Sequence, residues 1–200
     1  MEDRLISNRR IRFALLGVQS VMGHNGLNAM LKMAGLARYM NALPADNKKY
    51  DAYTSEYAEL IQTIENHFGS NARIQLIRMG HGTFRNIYNT DKARWQVHAL
   101  FNRFLPSRQR AINALNRLAT YLSEDNIQAR VEVNAKGIVL IDPFSPATWN
   151  RERETEMCWL TLGAINECVL WATGDAYEIT EEACKAIGSE TCRFVVGKEI

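Results

Sequence analysis

The chain has 200 residues and a formal net charge of +2, with 46% hydrophobic and 23% charged residues. These proportions are typical of a folded globular protein and exclude a disordered or fibrous chain. The nearly balanced charge argues neither for nor against a polyanionic partner, and the length suits one hydrophobic core. We therefore expect a single domain over residues 1–200.

The sequence contains no segment with the roughly 20 apolar residues that a membrane-spanning helix needs. Basic residues precede the apolar run 13–18 as in a signal peptide, but this run is too short for one. We expect a cytoplasmic protein without a membrane span. Its four cysteines should then be thiols or metal ligands, because disulfides are rare in a reducing compartment.

Residues 1–52 predict a helical N-terminal extension. Amphipathic spacing over 8–22 and 27–40 indicates two helices separated by a turn at 23–26, and the polar stretch 41–51 indicates a loop. These helices either cover the domain's own sheet or contact a second subunit. We expect a homodimer, because a short helical hairpin cannot hide all the apolar side chains present: Phe13, Leu15, Leu16, Val18, Met22, Leu27, Met30, Leu31 and Met33.

Four further helices are predicted before residue 124, over 53–68, 71–88, 91–104 and 106–123. Gly69 should end the first of them, and the pattern of the second weakens around Gly80-His81-Gly82. Residues 92–123 contain no acid and six basic side chains, Lys92, Arg94, Arg103, Arg108, Arg110 and Arg117. Such runs could bind nucleic acid, but they are more often solvated helix faces, and we expect no nucleic-acid partner.

The last third of the chain has a different pattern. Alternation over 127–141 predicts a β-hairpin, and 177–182 with 192–196 predicts a second. Between them, residues 157–173 are apolar on nearly every face, as in a buried helix. We expect an α+β fold in which an antiparallel sheet of about four strands carries packed helices, with residues 53–200 as a core of ligand-binding type.

Three cysteines and a glutamate fall close together in this last third. Cys158 opens the buried helix, Glu181 and Cys184 end one strand, and Cys192 begins the strand paired with it. Three thiolates and a carboxylate are chemically suited to a tetrahedral zinc ion. The alternative is that these cysteines are small core side chains, which is how we interpret Cys168.

The segment 158–198 resembles the C-terminal half of the 4-vinyl reductase type domain, also described as a predicted hydrocarbon-binding domain. The shared pattern is C-x-x-x-x-G followed by E-x-x-C-x(7)-C-x-F. That domain occurs in phenol-sensing modules of bacterial activators, in proteins linked to bacteriochlorophyll synthesis and, remotely, in TRAPP subunits. In the phenol sensors these ligands hold a structural zinc, so the resemblance implies structural zinc at the matching positions, Cys158, Glu181, Cys184 and Cys192.

The resemblance also implies an apolar cavity near the zinc, between the helices and the sheet. Its candidate walls are Val139, Ile141, Trp159, Leu162 and Ile165, which would suit a small aromatic or fatty ligand. The alternative is that these side chains simply fill the core.

The sequence favours a binding protein over an enzyme. It contains no nucleophile elbow, phosphate-binding loop or dinucleotide fingerprint. We expect a sensor or carrier that binds a small hydrophobic molecule and is braced by structural zinc. The alternative is a non-catalytic scaffold or accessory protein, in tetrapyrrole metabolism or as a TRAPP-like interaction module, without a functional pocket.

Overall fold

The first helix, α1, spans Asn8–Met33 and is kinked at Gly23. The computed structural model describes residues 3–135 and 137–199. Ser7 caps α1, because its hydroxyl accepts a hydrogen bond from the backbone N–H of Arg10. Gly23 has φ 71° and ψ 179°, which a residue with a side chain rarely adopts. The predicted turn at 23–26 is therefore a kink between two helical stretches.

The two strands of a small sheet lie before and after α1 in the sequence. Strand β1, Leu5–Ser7, pairs antiparallel with β2, Tyr50–Tyr53. The prediction of a loop over residues 41–51 was wrong at its end, where β2 begins. The N-terminal region is consequently not purely helical.

The apolar face predicted for a dimer is buried within the chain. Six of its nine side chains are at most 3% exposed and belong to the main hydrophobic core: Phe13, Leu15, Val18, Leu27, Met30 and Leu31. Met33, at 59%, is the member with high exposure. The prediction of a homodimer thus loses its basis, because the fold itself covers the surface that a partner subunit would need.

Five more helices lie in the described part of the chain. They are α2 Thr54–Phe68, α3 Ala72–Thr90, α4 Lys92–Asn102, α5 Ser107–Leu122 and α6 Trp159–Thr173. As predicted, α2 ends at Gly69, which has φ 52°. No helix of the described residues is both long and apolar enough to cross a membrane.

Helices α3 and α6 touch through their glycines. Helix α3 continues through Gly80, where the sequence pattern weakens. A Cβ atom on Gly80 would lie 2.2 Å from the carbonyl oxygen of Leu160, and one on Gly163 would lie 2.1 Å from the carbonyl oxygen of Ile77. The two backbones can approach this closely because neither glycine has a side chain. This contact fixes α6, and with it Cys158 at its start, against the helical half.

The second sheet has four antiparallel strands in the order β3-β4-β6-β5. The predicted hairpins are joined by pairing of β4 with β6, in which Leu140 lies opposite Phe194. The α+β fold with an antiparallel four-stranded sheet is confirmed. The strands are β3 Arg130–Asn134, β4 Gly137–Asp142, β5 Tyr177–Ala183 and β6 Cys192–Glu199.

A buried ion pair links α1 to the end of β4. Arg10 Nη2 lies 3.0 Å from Asp142 Oδ2, and the two side chains are 5% and 1% exposed. Burial lowers the pKa of Arg10 and the charge of Asp142 raises it, with a net rise. Asp142 also accepts the backbone N–H groups of Phe144 and Ser145. Both charges are therefore satisfied inside the core.

Candidate functional site

The four predicted ligand residues converge where α6 meets the β5–β6 hairpin. Cys158 immediately precedes α6, Glu181 lies in β5, Cys184 follows β5 and Cys192 begins β6. All four residues are buried, and their ligand atoms, three Sγ and one carboxylate oxygen, all lie within 4.8 Å of one another. The structure thus brings the predicted set to one point.

A tight turn between β5 and β6 positions two of these ligands. A 3-10 turn, Lys185–Ile187, is followed by Gly188 with φ 91°. The backbone N–H groups of Ile187 and Ser189 both donate to the carbonyl oxygen of Cys184, at 3.2 Å. The chain therefore reverses directly after Cys184 and returns to it at Cys192.

The distances between the sulfur atoms match those around a tetrahedral ion. The Sγ atom of Cys158 lies 3.8 Å from that of Cys184 and 3.5 Å from that of Cys192, and the Cys184–Cys192 distance is 4.0 Å. Tetrahedral bonds of about 2.3 Å to sulfur place the sulfur atoms about 3.8 Å apart. A disulfide would instead require about 2.05 Å, and all three cysteines are free thiols.

Glu181 has one satisfied and one unsatisfied carboxylate oxygen. Its Oε2 accepts the backbone N–H of Cys158 at 2.8 Å. Its Oε1 is buried without a hydrogen-bond partner among the described residues. Leaving a buried acceptor unpaired costs about 1–3 kcal/mol, and a cation among the sulfur atoms would remove this cost. The orphaned oxygen therefore fits a metal-ligand role.

The pKa values of the clustered thiols and carboxyl group are shifted because these groups lie close together in the core. Burial, and then the charge of Cys184, raises the pKa of Glu181 to about 8. The pKa of Cys184 is lowered because the thiols of Cys158 and Cys192 donate hydrogen bonds to it. The pKa of Cys158 is raised by its hydrogen bonds with Cys184 and Cys192 and by burial. A bound cation would allow the three thiols and the carboxyl group of Glu181 to ionise together.

Two groups that the sequence analysis missed contact the sulfur atoms. The hydroxyl of Ser145 lies 3.2 Å from Cys158 Sγ, and the backbone N–H of Lys185 donates to Cys192 Sγ at 3.4 Å. Hydrogen bonds of this kind orient metal ligands. Hairpin pairing could have indicated Lys185, which follows Cys184, whereas no pattern in the sequence pointed to Ser145.

Cys168 lies apart from the cluster. It is fully buried in the hydrophobic core on α6, as predicted, and burial alone raises the pKa of its thiol. It therefore serves as a natural internal control for the other three cysteines.

The residues predicted to line an apolar cavity do not enclose one space. Leu162 and Ile165 of α6 belong to the main core. Val139 and Ile141 form a separate cluster with Val195, on the face of the sheet opposite to Ile138 and Leu140. The period of two identifies the faces of a strand but does not say which face meets the helices. The fifth residue, Trp159, is half-buried against the main core.

The chain is similar to known proteins mainly in its fold. No family model matches it. An uncharacterized protein of Methanocaldococcus jannaschii is 29% identical over 91 residues, which are 44% of this chain and 40% of that relative. The chain thus covers less than half of this relative's length.

Solved structures of H-NOX proteins resemble it over nearly the whole length. One from Shewanella oneidensis in the Fe(II)NO state has a TM-score of 0.60 at 9% identity, covering 98% of this chain and 99% of that one. An oxygen-binding H-NOX domain related to soluble guanylate cyclases has a TM-score of 0.56 at 10% identity, covering 92% and 89%. Likeness at such low identity shows the fold alone.

These findings overturn two predictions. The assignment to the 4-vinyl reductase type (hydrocarbon-binding) family was wrong, because no family model matches and the structural neighbours are H-NOX domains. The prediction of structural zinc as the cofactor was wrong with it, since heme is the cofactor named for a structure of this fold. A match to a short motif carries a risk of false positives and does not mark a family by itself.

Proposed function

We propose that this chain is a non-catalytic module that binds a small molecule and is braced by a divalent metal ion held by Cys158, Glu181, Cys184 and Cys192. The observation that carries the metal site is the buried set of three sulfur atoms at tetrahedral spacing beside an orphaned carboxylate oxygen. Sulfur donors select a thiophilic ion. Because the protein fills all four positions, the ion has no open site for a catalytic water and acts as a brace.

The brace joins parts of the chain that are distant in sequence. It ties the start of α6 to the β5–β6 hairpin, and its binding free energy contributes to folding because the unfolded chain lacks the assembled site. The site supplies no step of a reaction.

Metal analysis of the purified protein tests this site. We expect one ion per chain by inductively coupled plasma mass spectrometry, and a sulfur-to-metal absorption band after exchange with Co²⁺. The Cys184→Ser variant should lose both signals, while the matched variant Cys168→Ser keeps them. A folded wild-type protein without metal, or equal loss in both variants, would contradict the proposal.

Heme, named for a solved relative, does not fit this interior. The space between α4 and the core is filled by Trp95, which is fully buried and packs edge-on against Phe84 and Trp171 at ring distances of 5.3 and 5.2 Å. Backbone contact of α3 with α6 at Gly163 leaves no slot for a planar macrocycle there.

A smaller cavity between the helices is our candidate for the ligand site. Its volume is about 310 Å³, within the range typical of small-molecule sites.

 Aromatic walls and convergent polar groups line the cavity: Tyr88, Gln96, His98, Ala99, Asn102, Arg103, Arg110, Trp171 and Ala172. Burial, and then the charge of Arg117, lowers the pKa of His98. Flat aromatic walls beside an arginine favour a small planar ligand with a negative group.

Native mass spectrometry of the purified protein tests the ligand site. We expect a small compound to be retained by the wild type and lost by Arg110→Ala, whereas the exposed-site control His67→Ala keeps it. The metal content should not change in either variant. A compound retained equally by both variants would place the ligand elsewhere.

The burial of Leu162 and Ile165 of α6 in the main core favours a second candidate, a scaffold without a ligand. It would be supported if the wild type, with its metal in place, carried no compound in native mass spectra.

A further inference from the structure

Five large apolar side chains form an exposed stripe on α4 and the turn that follows it, which we call the α4 stripe. Their exposed fractions are 53% for Val97, 58% for Leu100, 78% for Phe101, 82% for Phe104 and 38% for Leu105. Spacings of three and four residues place the first four on one side of a helical path. The two phenylalanines project furthest into solvent.

The polarity of α4 is inverted relative to an ordinary surface helix. Among its eleven residues, all within the described chain, Trp95 alone is buried. Half-buried His98 and Asn102 share the inner side with Trp95, while Val97, Leu100 and Phe101 are exposed. Surface helices normally turn polar side chains outward, and an exposed apolar patch of more than a few hundred Å² marks an interaction site. Two phenylalanines of roughly 200 Å² each bring the α4 stripe into that range.

Basic side chains surround the α4 stripe. The guanidinium carbon of Arg103 lies 4.3 Å from the centre of the Phe104 ring, so charge and apolar surface are adjacent. The segment 92–110 contains no acid. The neighbouring carboxylate of Asp91 is already paired with Arg117 at 3.0 Å. The exposed basic residues of the segment are Lys92, Arg94, Arg103 and Arg108.

We propose that the α4 stripe binds the surface of a membrane that contains anionic lipids, with α4 lying in the plane of the interface. Phenylalanine and leucine on one face with arginine and lysine around them are typical of segments that enter the headgroup region. The basic rim is complementary to anionic headgroups, each basic residue adding to the attraction. Phe101 and Phe104 are 78% and 82% exposed, so their rings can enter a bilayer without a shaped partner.

Vesicle co-sedimentation of the full chain tests this proposal. The probes are phosphatidylcholine vesicles with and without about 30% phosphatidylglycerol, at low and high salt. We expect sedimentation with the anionic vesicles only, weakened by salt. The double variant Phe101→Ser with Phe104→Ser should bind at least about tenfold more weakly. The matched control Ile74→Ser, 59% exposed at the far end of α3, should bind as the wild type does.

A charge variant separates the electrostatic contribution to membrane binding from the contribution of the apolar side chains. Lys92→Glu with Arg108→Glu should also reduce binding to the anionic vesicles, and circular dichroism should show all variants folded because these positions are exposed. The proposal is overturned if the wild type stays in solution at low salt, or if Ile74→Ser binds as poorly as the phenylalanine variant. It is equally overturned if light scattering shows a multimer that the phenylalanine variant reduces to one chain, since the stripe would then bind a second copy.

Discussion

Replacing Gly163 with alanine should separate α3 from α6 and destabilise the protein. The added Cβ atom would lie 2.1 Å from the carbonyl oxygen of Ile77, whereas ordinary contact begins near 3.4 Å. The helices must therefore move apart by about 1.3 Å. A gap of about 0.5–1 Å already removes a quarter to a half of the attraction between packed atoms.

The magnitude follows from two opposing effects. Forcing extra volume into a packed contact costs about 1–3 kcal/mol, and more where the obstacle is backbone. The higher helix propensity of alanine offsets up to about 1 kcal/mol of this loss in stability. We expect a net loss of about 2–3 kcal/mol in the free energy of unfolding.

Urea unfolding followed by circular dichroism measures this loss as a shift of the midpoint at unchanged slope. The matched control is Gly197→Ala in β6, where the new Cβ atom meets only ordinary contact, at 3.4 Å from the carbonyl oxygen of Glu178. Its effect should stay within about 0.5 kcal/mol. If Gly163→Ala also stayed within that limit, the close backbone contact of α3 with α6 would be refuted.

Three further predictions concern the cluster and the buried ion pair. Removing metal with a chelator should lower the free energy of unfolding by at least about 3 kcal/mol in urea titrations, because the site forms only on folding. An unchanged urea midpoint would contradict the proposal that the metal ion stabilises the fold. In the metal-free protein, stability should fall as pH rises from about 4.5 to about 8, since the folded state holds the proton of Glu181 that the unfolded chain releases. Glu181→Gln should flatten that slope, and an unchanged slope would exclude Glu181 as its source. Arg10→Met should cost about 3–5 kcal/mol at neutral pH, because Asp142 is left charged and unpaired in the core; calorimetry showing a loss below 1 kcal/mol would argue against a buried pair.

The sequence predicted those features that depend on local patterns. Alternating residues and turn signals located both hairpins, and Gly69 ended α2 as expected. The four clustered donors could be grouped because hairpin pairing brings Cys184 near Cys192 whatever the outer topology. Local patterns and short-range pairing were therefore enough to predict the fold class and to group the four candidate ligand residues.

Features that depend on packing between distant elements could not be predicted. Gly80 weakens a helical pattern in the sequence, yet in three dimensions it is the point where two helices touch. The apolar face with Leu15 looked like a dimer surface because the sequence does not show which elements cover it. Likewise, alternation over β4 could not tell that Val139 lies outside the main hydrophobic core.

The link between Arg10 and Asp142 affects how the molecule opens. These residues are 132 positions apart. If the first turns of α1 unfold, the carboxylate of Asp142 at the end of β4 therefore loses its ion pair with Arg10. Local opening there is costly, and amide protons at the start of α1 should exchange with solvent only when the whole structure unfolds. The N-terminal segment thus shares the cooperative unit of the sheet, even though it lies at the opposite end of the sequence.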